Sequence, residues 1–393
     1  MGQVEGQLQA WELHYIAAVA YMGQDSNAIS RTVLSVAYPL TEVGPDAVGG
    51  SEQVLTQLDR ALTKAGHRSI VIAAEGSKVT GTLIPAAKAK GKLSDKVRRW
   101  GQQVHRQLIG EALSKYPIDL VHMHSLDFHQ YIPGTDVPVL ATLHLPPDWY
   151  PSSIFKLKRR HFYMNCVSTT QQRRCPACAM MLPPVPNGID LHSFHANGLN
   201  GQRRYVLAMG RICPEKGFHL ALDAARQAQR QCILAGQVFP YEAHQKYYEN
   251  EIVPRLDSRR RFIGPAKLGT KKKLLSNARC LLIPSTVAET SSLVAMESLA
   301  SGTPVVAFRS GALPEVIEHG RTGFLVSDVK EMADAIDAVG ELSPEECRDA
   351  ARTRFSGQTM TGRYLEMYER IIEKAEEQEW ERVRPGTSWL FAW

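Results

Sequence analysis

The sequence predicts an α/β protein made of two facing, doubly wound parallel-sheet (Rossmann-like) domains. Its 393 residues exceed the length at which a single hydrophobic core usually divides. Short apolar runs alternate with amphipathic stretches in both halves, which is typical of parallel strands joined by helices. Between the halves the periodicity weakens from 151 to 201, where Pro-Pro-Val-Pro-Asn-Gly (183–188) can continue neither a helix nor a central strand.

The first half contains four predicted strands and two predicted helices. Gly66 ends the first helix and Pro117 follows the second, as expected of residues that stop a helix. In chain order the elements are strand 32–37, helix 50–65, strand 69–74, helix 94–115, and strands 118–124 and 137–144.

The second half repeats this alternation. Its predicted strands are 205–209, 232–235, 261–263 and 280–283, and its predicted helices begin at Pro214, lie around 241–254 and cover 271–277. A last helix is predicted over about 362–381.

These elements divide the chain into four predicted parts. They are an N-terminal extension without clear periodicity that could be disordered (1–30), a first Rossmann-like domain (31–190), a second Rossmann-like domain (191–358) and a C-terminal helix (359–393). Ligands of doubly wound sheets bind beyond the carboxyl ends of the strands, so two facing domains would enclose a cleft.

Composition argues against a secreted or membrane-spanning protein. The sequence has no run of eighteen uncharged apolar residues, and its N-terminus lacks a basic start followed by a continuous apolar segment. Seven irregularly spaced cysteines do not indicate a disulfide framework. We therefore expect a cytoplasmic protein.

Three of the cysteines lie close together in the sequence. Cys175-Pro-Ala-Cys178 is a single C-x-x-C, and Cys166 with His161 would complete four zinc ligands. One such pair is weak evidence, so ordinary loop thiols are the favoured interpretation and no metal is predicted.

Positive charge is concentrated between Lys78 and Arg106. This run holds eight lysines or arginines and one acid, Asp95. It could contact an anionic membrane surface, a phosphate-bearing acceptor or a nucleic acid. No nucleic-acid-binding module accompanies it, so a solvated helix face is favoured and no nucleic-acid partner is predicted.

The loop after the first strand of the second half carries two cations. It reads Gly210-Arg211-Ile-Cys-Pro-Glu-Lys216-Gly217, at the expected start of a helix. Backbone amides, the helix dipole, Arg211 and Lys216 would together bind a diphosphate without a metal. The alternative is a surface turn with solvated basic side chains.

Two carboxylates follow the strand at 280–283. Glu289 and Glu297 have seven residues between them, and a helix beginning near Ser291 would place them about 9 to 12 Å apart along its axis. A nucleoside diphosphate sugar spans a similar length, so one carboxylate could bind the ribose and the other the sugar. The alternative is a solvated helix face.

These segments resemble a known family. Residues 289–297, with Ala-Ser-Gly-Thr-Pro-Val-Val (300–306) and the Gly-rich stretch 311–326, are similar to the C-terminal signature of family 4 glycosyltransferases, retaining enzymes of GT-B fold. The resemblance includes the loop 210–217, Val-Pro-Asn-Gly-Ile-Asp (185–190) and Gly-Gly (49–50). It covers roughly residues 31 to 375. It implies that 31–190 is the acceptor-side domain, that 191–358 binds the donor, and that the last helix returns to the first domain, which would make 353–360 a hinge for cleft closure.

The resemblance implies a donor site assembled from both domains. Arg211 and Lys216 would grip the diphosphate, Glu297 the ribose and Glu289 the transferred sugar. The remaining implied donor-binding residues offer backbone contacts: Gly49, Gly50, Gly210, Ser291, Ser292, Leu293 and Val294. Ser291-Ser292 replaces the family's usual Phe-Gly, which alters the expected sugar pocket.

The resemblance also implies a histidine at the reacting centre. His144 ends a predicted strand in Ala-Thr-Leu-His, so its assignment as a catalytic residue follows from the family pattern. His122 and His124, in Val-His-Met-His, compete for this role.

The sequence therefore predicts a retaining, metal-independent glycosyltransferase of hexosyltransferase type without a cofactor. Its donor would be a nucleoside diphosphate sugar, with UDP favoured, and its acceptor a hydroxyl of a glycan, lipid-linked sugar or small metabolite. Peripheral contact with the inner face of the membrane is compatible with the basic residues. A sugar-nucleotide epimerase of the same fold and a non-enzymatic nucleotide-sugar-binding protein are the alternatives. A dinucleotide oxidoreductase is disfavoured because neither half has G-x-G-x-x-G after its first strand.

Overall fold

The computed structural model describes residues 29–88, 94–194, 203 and 205–383, with side chains described as far as residue 380. Nearly all of the predicted extension 1–30, part of the basic run (89–93) and the end of the chain (384–393) lie outside these residues. The predicted domain limits stay predictions. The two observed sheets span residues 32–166 and 205–326.

The first sheet has six parallel strands in the order β3-β2-β1-β4-β5-β6. Because helices cover both faces, β1, β4 and β5 are buried along their whole length, which explains why their sequences are mostly apolar. Its elements are β1 Thr32–Val36, α1 Gly50–Lys64, β2 Arg68–Ala74, β3 Thr82–Ala86, α2 Asp95–Lys115, β4 Leu120–Met123, β5 Val139–Leu143, β6 Phe162–Cys166 and α3 Thr169–Arg173.

The second sheet also has six parallel strands, in the order β12-β11-β10-β7-β8-β9. Its elements are β7 Tyr205–Met209, α4 Phe218–Gln227, β8 Gln231–Ala235, α5 Glu242–Tyr247, β9 Arg260–Phe262, α6 Leu268–Asn277, β10 Ala278–Ile283, α7 Leu293–Ala300, β11 Val305–Phe308, α8 Leu313–Val316, β12 Gly323–Val326, α9 Val329–Ala338 and α10 Pro344–Arg354. The predicted fold class is confirmed: both halves are doubly wound.

The structure corrects three local predictions. Strand β3 was missed because it is a partly exposed edge strand that contains Pro85. Strand β6 lies inside the stretch that was predicted as an irregular connection. It was missed because Asn165 interrupts its apolar pattern. Helix α7 begins at Leu293 rather than near Ser291, so Glu297 lies little more than one turn from its start.

The last helix, α11 Gly357–Val383, returns to the first sheet as predicted but begins five residues earlier. Arg31, just before β1, pairs with Glu369 at 3.3 Å and with Glu376 at 2.7 Å on this helix. Where the chain crosses between sheets, the Ile189 N–H donates to the Phe355 carbonyl and the Gly357 N–H to the Ile189 carbonyl. The two crossings therefore lie side by side. No helix of the described residues is long and apolar enough to cross a membrane.

Candidate donor site between the two sheets

The site lies where loops from the carboxyl ends of both sheets meet. Thr290, in the loop after β10, donates its hydroxyl to the His144 carbonyl oxygen after β5 at 2.8 Å. A Cβ added to Gly50 would lie 3.6 Å from Leu293 Cδ1 at the start of α7. Gly50 and His144 of the first domain thus lie against the loop after β10 and the start of α7.

The predicted phosphate loop, 210–217, runs from β7 to α4. Pro214–Lys216 forms one 3-10 turn, so the α-helix begins later than predicted, at Phe218. Gly217 between them has φ 62°, and a Cβ there would lie 2.3 Å from the Pro284 carbonyl oxygen. Glycine is required by both the left-handed backbone and this close approach. The contact holds the loop against the segment that leads to Glu289.

The charges of this loop differ in their partners. Lys216 Nζ lies 2.6 Å from Glu289 Oε1, and the Glu289 side chain is only 8% exposed. Ser285 donates its hydroxyl to the same carboxylate oxygen. Arg211 makes no ion pair within the described part of the chain. Arg211 is therefore the cation of this loop whose guanidinium is available to an anion.

Glu297 has a cationic partner that the sequence did not reveal. Lys271 on α6 places its Nζ 2.5 Å from Glu297 Oε1, and the two side chains are 15% and 4% exposed. Burial raises the pKa of Glu297, and Lys271 opposes this rise. Lys271 lies in a run of three lysines, which is typical of a solvated helix face, so its buried partner could not be foreseen.

The start of α7 offers polar groups between the two ion pairs. Its first N–H groups have no intrahelical acceptor, as at every helix start, and are suited to an anion. Ser292 is the N-cap residue, but its side chain makes no capping bond. The Ser291 hydroxyl is buried without a partner among the described residues. Leu293 and Val294 follow with their backbone in the first turn.

The three histidines in β4 and directly after β4 and β5 have different surroundings. His122 uses both ring nitrogens, at 2.6 Å from the Tyr368 hydroxyl of α11 and 2.7 Å from Thr142 Oγ1. Because Thr142 donates its proton to Asn165 Oδ1, His122 Nε2 is the donor to Thr142, and Nδ1 accepts from Tyr368. His122 is a neutral structural residue and has no ring nitrogen left for a substrate.

His124 and His144 form a stacked pair at the cleft. Their rings lie 5.3 Å apart, with His124 Nδ1 3.1 Å from His144 Nε2. Nε2 of His124 has no partner in the described structure. Burial lowers the pKa of His144 to about 3, so this ring is neutral near pH 7. Of the competing histidines, His144 is the one whose backbone also contacts the loop after β10, through Thr290.

Gly49 and Gly50 lie at the start of α1. The position of a Cβ on Gly49 is filled by the Glu52 carboxylate, 1.9 Å away. That carboxylate is held by the Thr41 hydroxyl at 2.8 Å and the Ser51 hydroxyl at 3.0 Å. Gly49 is thus required by a neighbouring side chain, whereas Gly50 faces α7 across the cleft.

The cysteine-rich segment does not form the four-ligand zinc site considered above. Cys166 Sγ lies 3.5 Å from Cys175 Sγ. His161, however, precedes β6 while Cys166 ends it, and an extended strand separates them by roughly 16 Å. No metal-sized cluster of the described residues contains these side chains.

Two α/β domains that meet at these loops define a glycosyltransferase of GT-B type. The family model described as "Glycosyltransferase Family 4" matches residues 48–192, and the one described as "Glycosyl transferases group 1" matches residues 203–341. The chain belongs to the family 4 glycosyltransferases. It is a hexosyltransferase-type enzyme, which decides against the epimerase and the non-enzymatic binding protein.

Individual proteins agree with this assignment. The chain is 25% identical over 333 residues to the phosphatidyl-myo-inositol mannosyltransferase of Mycolicibacterium smegmatis, covering 77% of this chain and 83% of that protein. It is 32% identical over 213 residues to the D-inositol 3-phosphate glycosyltransferase of Mycobacterium bovis, covering 48% of this chain and 43% of that one. Anabaena HepE, solved in complex with UDP-glucose, has a similar fold (TM-score 0.67, 19% identity, 86% of this chain and 98% of that chain).

Proposed function

We propose that the chain transfers a hexosyl group from a UDP-sugar to an acceptor hydroxyl, with retention of anomeric configuration and without a metal ion. The observation that carries the proposal is the pair of buried carboxylates, Glu289 and Glu297, each held by a lysine on either side of the α7 start. Carboxylates fixed in this way accept hydrogen bonds from hydroxyl groups, while the helix start between them suits a diphosphate.

Each charged residue has a distinct role in donor binding. Arg211 and Lys216 bind the diphosphate, because both lie in the loop that packs against the α7 side of the site. Glu289 accepts from sugar hydroxyls, and Glu297 accepts from the ribose. Lys271 opposes the rise in the Glu297 pKa that burial causes and is therefore a positioning residue.

The chemistry proceeds on one face of the donor. The bond between the anomeric carbon and the diphosphate oxygen breaks, the acceptor oxygen bonds to that carbon, and the acceptor proton passes to the departing diphosphate. Arg211, Lys216 and the α7 amides stabilise the charge that grows on the leaving group, so positioning and electrostatics supply the rate. His144, neutral near pH 7, serves as a hydrogen-bonding group at the sugar rather than as an ion.

A thermal-shift series tests the donor. UDP, GDP, ADP and their sugars are added to the wild type, Arg211→Ala and Glu297→Gln, with exposed Arg226→Ala and Glu249→Gln as matched controls. UDP is favoured because HepE, of similar fold, was solved with UDP-glucose. We expect UDP to raise the melting temperature of the wild type and both controls, and to have a smaller effect on the two site variants. A shift with GDP alone would overturn the choice of base, and no shift with any nucleotide would contradict the donor site.

We further propose that the acceptor carries a phosphate on a polyol. The mycobacterial relatives are named for phosphatidyl-myo-inositol and D-inositol 3-phosphate, which share this chemistry. The first turns of α2 expose Lys96, Arg98 and Arg99 beside half-exposed Trp100, a surface suited to an anionic headgroup or membrane.

Release of UDP from UDP-sugar measures this acceptor directly. We expect release to require inositol phosphate or vesicles containing phosphatidylinositol, with free inositol as the matched control without phosphate. Equal release with free inositol would contradict the phosphate requirement. Binding to phosphatidylinositol vesicles but not to phosphatidylcholine vesicles would support peripheral membrane contact, and equal binding would refute it.

A further inference from the structure

A cluster of metal-ligand-type side chains joins the phosphate loop to helix α5. Cys213 Sγ, a Glu215 carboxylate oxygen and a His244 ring nitrogen all lie within 4.8 Å of one another. Cys213 is buried, and Glu215 and His244 are half-buried. Two elements contribute: the turn that follows β7 and helix α5, which follows β8.

The three ligand types fit one class of ion. Thiolate, imidazole and carboxylate together are typical of zinc, which takes four ligands at about 2.0 to 2.3 Å and hence roughly 3.3 to 3.8 Å apart. The observed separations, none above 4.8 Å, require a contraction of no more than about 1.5 Å. Three protein ligands leave one position for water.

His244 lacks the partner that a buried ring nitrogen normally has. Its Nδ1 is buried without a hydrogen bond among the described residues. The ring packs edge-on against Tyr241 at 5.0 Å, which limits its rotation. Buried polar atoms are nearly always satisfied, so an orphaned nitrogen in a group of metal-type ligands indicates a missing ligand.

The local charges permit a divalent ion. Arg211 and Lys216 flank Cys213 and Glu215 in the sequence and oppose a cation. However, Lys216 is neutralised by Glu289, and a thiolate with a carboxylate would balance both charges of the ion. A bound ion would tie the loop that follows β7 to α5.

We propose that Cys213, Glu215 and His244 bind one thiophilic divalent cation of zinc type. The ion stands outside the transfer reaction proposed above, which uses no metal. The site rests on the ligand geometry alone, so the proposal does not depend on the donor or the acceptor.

Cobalt provides a spectroscopic test with the full chain. Co²⁺ bound to a thiolate produces an intense near-ultraviolet charge-transfer band, which zinc should abolish by displacement. We expect one Co²⁺ per wild-type chain, no such band in Cys213→Ser, and an unchanged band in the control Cys178→Ser. His244→Ala tests a half-exposed ligand whose loss should preserve the fold. Because removal of an outer-shell partner alone lowers metal affinity about 10- to 100-fold, we expect at least a 100-fold loss here.

The opposite results would overturn the site. These are no thiolate band in the wild type, the same band in Cys213→Ser, loss of the band in Cys178→Ser, or unchanged affinity in His244→Ala. The titration contains no nucleotide sugar, so its failure would leave the proposed transferase function untouched.

Discussion

Replacing Lys271 by methionine removes the cation that faces Glu297 while retaining most of the apolar stem. The Glu297 side chain is 4% exposed and its carboxylate lies 2.5 Å from Lys271 Nζ, so the substitution leaves a buried carboxylate without its ion-pair partner. Removing one partner of a buried pair destabilises a protein by about 3–5 kcal/mol. The loss has an upper limit, because Glu297 can take up a proton instead of remaining buried as an unpaired charge. Protonating a carboxyl of ordinary pKa ~4.3 at pH 7 costs about 3.7 kcal/mol.

The limit depends on pH in a direction that the structure fixes. Burial already raises the pKa of Glu297, and loss of Lys271 raises it further. A carboxyl whose folded pKa exceeds its unfolded pKa destabilises the fold as pH rises from about 4.3 through the folded pKa. At pH 5 the same limit falls to about 1 kcal/mol. We therefore expect Lys271→Met to lower the free energy of unfolding by about 2–4 kcal/mol at pH 7 and by no more than about 1 kcal/mol at pH 5.

Urea denaturation of four proteins measures both effects. They are the wild type, Lys271→Met, Glu297→Gln and the double variant, each at pH 7 and pH 5. At pH 7 the double variant should be at least about 1–2 kcal/mol more stable than the sum of the single changes implies, because it buries no unpaired charge. A loss below about 0.5 kcal/mol, a loss that does not change with pH, or strict additivity would refute the importance of this pair.

Three further predictions follow from the same contacts. Arg211→Ala should lower acceptor-dependent turnover about 10²- to 10³-fold with an unchanged circular dichroism spectrum, and near-normal transfer would remove Arg211 from the mechanism. Gly217→Ala should lower the free energy of unfolding by more than about 1–2 kcal/mol, because the backbone is left-handed and the new Cβ would lie 2.3 Å from the Pro284 carbonyl oxygen. Equal midpoints of urea denaturation in the wild type and the variant would contradict this. Burial holds the pKa of His122 well below its usual 6.5, so the neutral ring stabilises the fold above pH 6.5 and this stabilisation is lost as pH falls. Between pH 7 and 5 the free energy of unfolding of the wild type should therefore fall by up to about 2 kcal/mol more than that of His122→Gln. Equal losses in the two proteins would contradict this prediction.

The sequence predicted the parts of the fold that follow from continuous apolar runs. Buried parallel strands such as β1 and β7 are mostly apolar, and both were placed to within one residue at each end. The missed strands β3 and β6 lack that pattern for separate reasons. Pro85 is tolerated because β3 is at a sheet edge. Asn165 is tolerated because its side-chain amide accepts a hydrogen bond from Thr142 and donates one to Tyr364. Those compensating partners are distant in sequence and could not be predicted.

In the candidate site, too, local motifs could be predicted from the sequence and contacts between distant residues could not. The positions of Arg211, Lys216 and the two glutamates come from local motifs, and the structure places Lys216 Nζ against the Glu289 carboxylate. The residues that pair with the glutamates cannot be predicted from local motifs. Lys271 is 26 residues from Glu297, and no local spacing connects them. The cluster of Cys213 with His244 could not be predicted either, because the two crossover connections that carry these residues meet only in the folded protein.

Isothermal titration of UDP into the wild type, Arg211→Ala and Glu297→Gln tests the donor site most directly. Exposed Arg226→Ala and Glu249→Gln serve as the matched controls for charge and residue type. We expect one UDP per chain, unchanged affinity in both controls, and affinity lower by at least about 10-fold in each site variant, as for a lost hydrogen bond to a charged group. Equal affinity in all five proteins, or no binding of UDP to the wild type, would contradict the assignment.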